Sequence, residues 1–327
     1  MRVQIKELDL DGARDTLRQL VRSEAGYRAA QGKSNNISQT QLGQLIDEYA
    51  LEPDALAEMQ AIRHLPAARR MGQLRDIAMR YPDATAAAIT LLVAMRQDGQ
   101  FALRTVPQGQ QRGIPARICQ FWDTLDVPAD ILAYMESWRD QHQGWEFLRF
   151  DDDAAYDFLM RYPEEVRTAY RRARSTAMKS DLFRLAWLYA EGGYYADADD
   201  RCIAAIDDWV PADYRLVLWQ EEFGSIGNNF IGAAPRHPLI GIALRQAVNA
   251  INRGDVDILW LSTGPGLLTR TFARLLPFYA EDWPSFLEDI AVLDRGDYFR
   301  MVAPHCHAAY KTTDKHWGNS AFKKTRR

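Results

Sequence analysis

The periodicity of the chain changes once, across VPQGQQRGIPA at residues 106–116, and that change limits the folds open to it. Before the segment, from about residue 8 to 101, apolar residues recur at three-four spacing. Leu74, Ile77, Ala78 and Tyr81 form one such helix face, and Pro82 breaks it. Paired antiparallel helices are predicted. After the segment come short apolar runs separated by helical stretches: ARICQFW, GWEFLRFD, GYYADAD, YRLVLWQ, NNFIGAA and DILWLST. Strands alternating with helices predict an α/β domain with its ligand site beyond the carboxyl ends of the strands.

The expected organisation is therefore a small helical domain over residues 1–105 and a larger α/β domain over residues 106–327. The helical part resembles one unit of a tetratricopeptide-type array, although copies at a fixed period are missing and a true array needs about three. A formal charge of −4 and a pI near 5.9 supply no long-range attraction to nucleic acid, which is not expected as a partner. The first residues lack a charged leader followed by an apolar block, and no run approaches the roughly 20 apolar residues of a membrane span. Cys119, Cys202 and Cys306 are scattered and odd in number, as in a protein of a reducing compartment. A cytoplasmic location is expected.

The acidic stretch EGGYYADADD, Glu191 to Asp200, is the densest candidate for chemistry. Asp-x-Asp alone proves little, because it also occurs at Asp9/Asp11, Asp151/Asp153 and Asp255/Asp257. Context separates the pair Asp197/Asp199. Tyr194 to Ala198 reads as a short strand, so the two carboxylates project the same way at its end. Paired oxygen ligands suit a hard ion, Mn²⁺ or Mg²⁺, which in turn grips phosphate. In the preceding helix Met178, Leu182, Leu185, Ala186 and Tyr189 make a core stripe, while Asp181 and Arg184 stand three apart on a neighbouring face. Gly192-Gly193 ends that helix. Taken alone, Asp181 and Arg184 read as a surface ion pair.

The run S-D-L-F-R-L-x-x-L-Y-x-x-G-G-Y-Y-A-D-A-D resembles the signature of the DXD-containing glycosyltransferases of family 32, related to Golgi mannosyltransferases and to the large glucosylating toxins. Further landmarks follow the family's order: IPARICQFW, SWRDQHQGWEFLRFDD, NNFIGAAPRHPLI and STGPGLLT. About residues 114 to 320 are covered. The resemblance implies a GT-A fold with a mixed central sheet, a nucleotide-sugar donor and retention of anomeric configuration. It implies that Trp122 stacks on the nucleotide base and that Asp181 with Arg184 holds donor sugar hydroxyls. Asp197 is then expected to contact ribose and sugar, or the ion through water, and Asp199 to bind the ion directly. Asn228 and Asn229, in a glycine-flanked segment, are candidates for hydrogen bonds to donor or acceptor.

The tail contains His305, Cys306, His307 and His316. The first three are too close together for the usual paired zinc ligands. By resemblance, His316 and Ser320 of H-W-x-x-S close the metal and diphosphate site. The family usually has tryptophan after that serine, whereas this chain has Ala321-Phe322. Cys119 stands where the family usually has histidine, which bears on nucleotide contacts. Ala196 stands where leucine is common, a buried strand position where the change bears on packing.

The expected activity is metal-assisted transfer of a hexose from UDP- or GDP-hexose to a saccharide, glycolipid or protein hydroxyl, as in polysaccharide biosynthesis. Asp181, Arg184 and Asp197 are the expected catalytic group, and an acceptor assembled on a membrane face brings peripheral membrane association. Two rivals belong to other classes: an inactive glycosyltransferase-like interaction protein with a helical module, and a metal-dependent phosphohydrolase, which needs ligands for two ions.

Overall fold

The computed structural model describes residues 2–30, 35–104, 111–255, 258–276, 283–304 and 306–313. The described residues up to Gly99 and those from Tyr310 form one compact unit, and Gln100–Ala309 forms another. In the first unit, helices Leu10–Ser23, Gln41–Leu51, Pro53–Ile62, Ala67–Arg80 and Thr85–Gln97 follow the predicted periodicity. Asp9 and Thr40 accept hydrogen bonds from Gly12 and Gly43 and cap two of these helices.

The second unit is the expected α/β class with a mixed sheet. Its strands are β1 (Arg117–Phe121), β2 (Glu146–Phe150), β3 (Gly193–Ala196), β4 (Arg201–Cys202), β5 (Leu216–Trp219), β6 (Phe230–Ala233), β7 (Ile290–Leu293) and β8 (Val302–Ala303). Six of them form one sheet in the order β2-β1-β3-β6-β5-β7, and β4 pairs with β8. Only β6 runs against its neighbours in the main sheet. The carboxyl ends of β1, β3 and β5 and the amino end of β6 therefore share one edge. Trp122, Asp197 and Asn229 each adjoin that edge, so topology alone gathers residues more than 100 positions apart.

Two expectations differ from the observed elements. DILWLST, read as a strand, holds the helical turn Leu259–Ser262, and Gly264-Pro265 then starts helix Pro265–Leu275. The true edge strand is β7, an Ile-Ala-Val-Leu run that pairs in parallel with β5. The expected strand through Ala198 ends at Ala196, because its partner β6 begins at Phe230. Asp197 N–H still reaches Asn229 O at 2.8 Å, after which the chain turns and Asp200 N–H bonds Asp197 O at 3.2 Å.

Helix Thr176–Glu191 supplies the residues behind the sheet. Ser175 caps it, accepting from Met178 N–H at 3.2 Å. It stops where Gly192 and Gly193 take φ of 66° and 109°. A Cβ at Gly193 would lie 2.5 Å from Arg117 Cγ, and one at Gly192 2.5 Å from Pro235 Cδ, so both positions need glycine twice over. On the opposite side of the sheet Trp138 is fully buried, stacks near Phe230 and donates Nε1–H to Asp200 O at 2.9 Å. The aromatic core thus holds the acidic turn directly.

Candidate active site

Asp181 and Arg184 are not on the surface. The expectation of a neighbouring polar face is corrected: Asp181 is 2% exposed and Arg184 4%, because the helix is covered on nearly all sides from Met178 to Leu188. The polar groups there are satisfied internally, as burial demands. Asp181 Oδ1 receives Asn228 Nδ2–H at 2.8 Å and pairs with Arg184 Nη2 at 3.2 Å, and Oδ2 receives Thr263 Oγ1–H at 2.8 Å.

Arg184 joins both acidic groups. Its Nη2 pairs with Asp181 at 3.2 Å and with Asp197 Oδ1 at 3.1 Å. Nε donates to Ser180 O at 3.3 Å, Nη2 to Ser180 Oγ at 3.0 Å, and Nη1 to the Asn228 carbonyl. The guanidinium lies over the Tyr195 ring, 4.5 Å from its centroid, and the Tyr195 hydroxyl bonds Ser180 Oγ at 2.7 Å. With most of its five N–H donors spent inside the protein, Arg184 chiefly fixes Asp181 and Asp197.

The electrostatics follow from that burial. Desolvation raises the Asp181 carboxyl, and Arg184, Thr263 and Asn228 pull it back. Burial works against the Arg184 charge, but Asp197, Tyr195 and Asp181 outweigh it and raise the guanidinium. Asp197, with 30% of its side chain accessible, is still pushed up to about 7 by desolvation, against the pull of Arg184 and with repulsion from Asp199 and Asp181 added. Asp197 and Asp199 are both partly exposed, while Asp200 beside them is buried.

A hard divalent ion fits this pair. Among the described residues no group of three metal-ligating side chains occurs. Mg²⁺-type sites, however, commonly use one or two carboxylates and complete their shell with water and substrate phosphate oxygens. His316 and Ser320 lie outside the described residues. Trp122 directly follows β1 and is half-buried, its main-chain N–H bonded to Phe150 O at 3.0 Å.

Asn229, a candidate for donor binding, hydrogen-bonds within the protein through its side chain. Its Nδ2 donates to Asp200 and, at 2.9 Å, to the Tyr298 hydroxyl, while Oδ1 accepts Trp219 Nε1–H at 2.9 Å. Both amide hydrogens are spent on the acidic turn and its support. Asn228 is the member of the pair that reaches Asp181. Cys119, expected to bear on nucleotide contacts, is fully buried in β1 between Leu148 and Tyr195, so its side chain meets the sheet and not a ligand. Ala196 is buried in β3 as expected.

Residues 128–216 match the family described as the glycosyltransferase sugar-binding region containing DXD motif. The chain carries a DXD glycosyltransferase sugar-binding region. Similar proteins include inositol phosphoceramide mannosyltransferase 2 of Schizosaccharomyces pombe, 26% identical over 190 residues that make up 57% of this chain and 53% of that protein. The initiation-specific alpha-1,6-mannosyltransferase of the same yeast is 24% identical over 213 residues, 53% of each chain. The chain spans about half the length of these curated relatives. Among solved structures, the PaToxG glycosyltransferase superposes with a TM-score of 0.41 at 16% identity, over 76% of this chain and 97% of that one.

The matched region contains Asp181, Arg184, Asp197 and Asp199, whereas Asn228 and Thr263 come from beyond it. Thr263 and Ser180 are site residues that sequence reasoning missed. Ser180 had a usable signal, sitting directly before Asp181 on the same helical turn. Thr263 had only its place in the STGPGLLT landmark.

Proposed function

We propose that the protein is a metal-dependent, retaining glycosyltransferase that moves a hexose from UDP- or GDP-hexose to a hydroxyl of a saccharide, glycolipid or protein. The observation that carries this reading is the single network from Asp181 through Arg184 to Asp197, which joins a buried carboxylate to a partly exposed acidic pair. Asp197 and Asp199 would hold Mn²⁺ or Mg²⁺, and Trp122, at the same sheet edge, would stack on the base. His316 and Ser320 remain candidates for the ion and the diphosphate.

The ion, when bound, supplies positive charge to the departing diphosphate. The remaining work falls to the chain's own residues. Asp181, held in one orientation, accepts a donor hydroxyl and places negative charge near the oxocarbenium-like centre. Arg184 favours the ionised forms of Asp181 and Asp197 against the effect of burial and fixes their positions, so neither needs to reorganise during reaction. The names of the relatives favour mannose as the hexose and an inositol phosphate-bearing lipid among the acceptors, which would bring the protein to a membrane surface. Among the described residues no helix is long and apolar enough to cross a membrane. A cytoplasmic location completes the reading, in keeping with the odd, scattered set of Cys119, Cys202 and Cys306.

Incubation with Mn²⁺ and a panel of UDP- and GDP-hexoses tests it. Release of free sugar or its transfer to an added acceptor is expected with one donor. Phosphate release without free sugar would instead favour a phosphohydrolase, and absence of turnover and of nucleotide binding an inactive interaction protein.

A further inference from the structure

The STGPGLLT segment has no part in the mechanism above, yet it touches the site at two points. Thr263 is buried and donates to Asp181 Oδ2 at 2.8 Å. Six residues on, Thr269 Oγ1 accepts Ile226 N–H at 2.8 Å while donating to Pro265 O at 2.6 Å. Ile226 belongs to the connection from β5 to β6 that also carries Asn228, the second neutral donor to Asp181. One helix start therefore sets both neutral donors. Its own position is fixed closely: Thr263 and Gly264 N–H both bond Leu259 O, and a Cβ at Gly266 would lie 2.9 Å from Trp260 O.

The count of lone pairs gives this brace a chemical meaning. An ionised carboxylate offers about four acceptor sites. Asn228 takes one on Oδ1, whose other side faces the Arg184 guanidinium as an ion pair at 3.2 Å, and Thr263 takes one on Oδ2, which leaves one on Oδ2. We infer that Thr263 is a positioning and selectivity residue: by filling one site of Asp181 Oδ2, it leaves a single direction from which a donor hydroxyl can bond. Epimers that differ at that carbon are thereby told apart. The inference rests on the proposed role of Asp181 in donor binding. A site built to satisfy one hydroxyl rejects a sugar that presents it wrongly, because a buried polar group is then left unpaired.

The test compares wild type, Thr263→Val and Thr263→Ser. Val keeps the shape and removes the donor, and Ser keeps the donor. Hydrolysis of UDP-glucose, UDP-galactose, GDP-glucose and GDP-mannose is followed with Mn²⁺, together with calorimetric affinity for UDP and GDP and the melting temperature. Thr263→Val is expected to lower kcat for the preferred sugar about tenfold and to narrow its preference over the epimer by about tenfold. Affinity for the nucleoside diphosphate, which engages Asp197 and Asp199, stays unchanged, and Ser restores rate and preference. Unchanged rate and selectivity in the Val variant overturn the inference. So does an equal loss for every sugar that simply follows lost nucleotide affinity or a fall in melting temperature. A wild type that neither binds nor hydrolyses any of these donors overturns the glycosyltransferase reading, and this inference with it.

Discussion

Two acidic regions sixteen residues apart have opposite surroundings. Asp181 is buried and accepts two hydrogen bonds beside its ion pair with Arg184, whereas Asp197 and Asp199 remain partly exposed and Arg184 pairs with Asp197. A closed carboxylate with fixed partners is prepared to accept one hydroxyl. A partly exposed pair of carboxylates is a suitable set of hard oxygen ligands for an ion. The difference arises from backbone position: the first lies inside a covered helix, the second just past the point where β3 loses its partner.

The largest expected effect is on the open region. Asp199→Ala should cut Mn²⁺-dependent donor turnover by about 10²- to 10³-fold, the scale of losing a main source of charge stabilisation. The fold should persist, since a partly exposed carboxylate contributes little packing. Wild-type turnover in a metal-buffered assay would remove the metal role from this pair. Next comes the link between the regions. Arg184→Ala leaves Asp181 buried without its counter-charge, and a stability loss of about 3–5 kcal/mol is expected. Activity measured on the folded fraction should fall about 10²-fold. Normal donor affinity and turnover with a lowered denaturation midpoint would make the arginine purely structural.

Asn229→Ala sharpens the comparison by attacking the support of the open region without touching its exposed oxygens. It removes buried hydrogen bonds to Asp200, Tyr298 and Trp219, so a loss of about 1–3 kcal/mol should appear in chemical denaturation. Nucleoside diphosphate affinity should change far less than in the Asp199 variant. An affinity loss equal to that of Asp199→Ala, with stability intact, would return Asn229 to the donor.

The smallest effect concerns the ground under the closed region. His237 caps helix Pro238–Arg253, which packs on the Asp181 helix, and its Nδ1 accepts Leu239 N–H at 3.3 Å. Burial, aided by Arg215, lowers its pKa from 6.5 to about 4. The unfolded chain takes up the proton first, so stability present above pH 6.5 is lost as pH falls towards 4. Between pH 6.5 and 5 the loss is about 2 kcal/mol. His237→Asn, which caps without titrating, should flatten stability across that window. An unchanged slope would show that the imidazole is not the group responsible.

Much of the open region was legible in the sequence. Glycine after a long helix, a short strand and an acidic end together separated Asp197/Asp199 from the other Asp-x-Asp pairs. Those have ordinary tasks: Asp9 and Asp151 cap helices, and Asp255 pairs with Arg253, while Asp257 lies outside the described residues. The closed region was only half legible. Amphipathic reasoning puts an aspartate and an arginine outside, and it fails where a helix is covered all round. Thr263 and Asn228 meet Asp181 across 82 and 47 residues, a contact that no local spacing encodes. The same limit explains DILWLST and β7. Short apolar runs do not reveal whether they will find a strand partner.

If the open pair holds the ion and the ion holds the donor's diphosphate, calorimetric titration of UDP and GDP with and without Mn²⁺ will register both contacts at once. Mn²⁺ should tighten binding of one of the two by about tenfold or more in the wild type and in Thr263→Val, and not in Asp199→Asn. Equal tightening in Asp199→Asn, or a wild type whose nucleotide affinity ignores Mn²⁺, would contradict that arrangement.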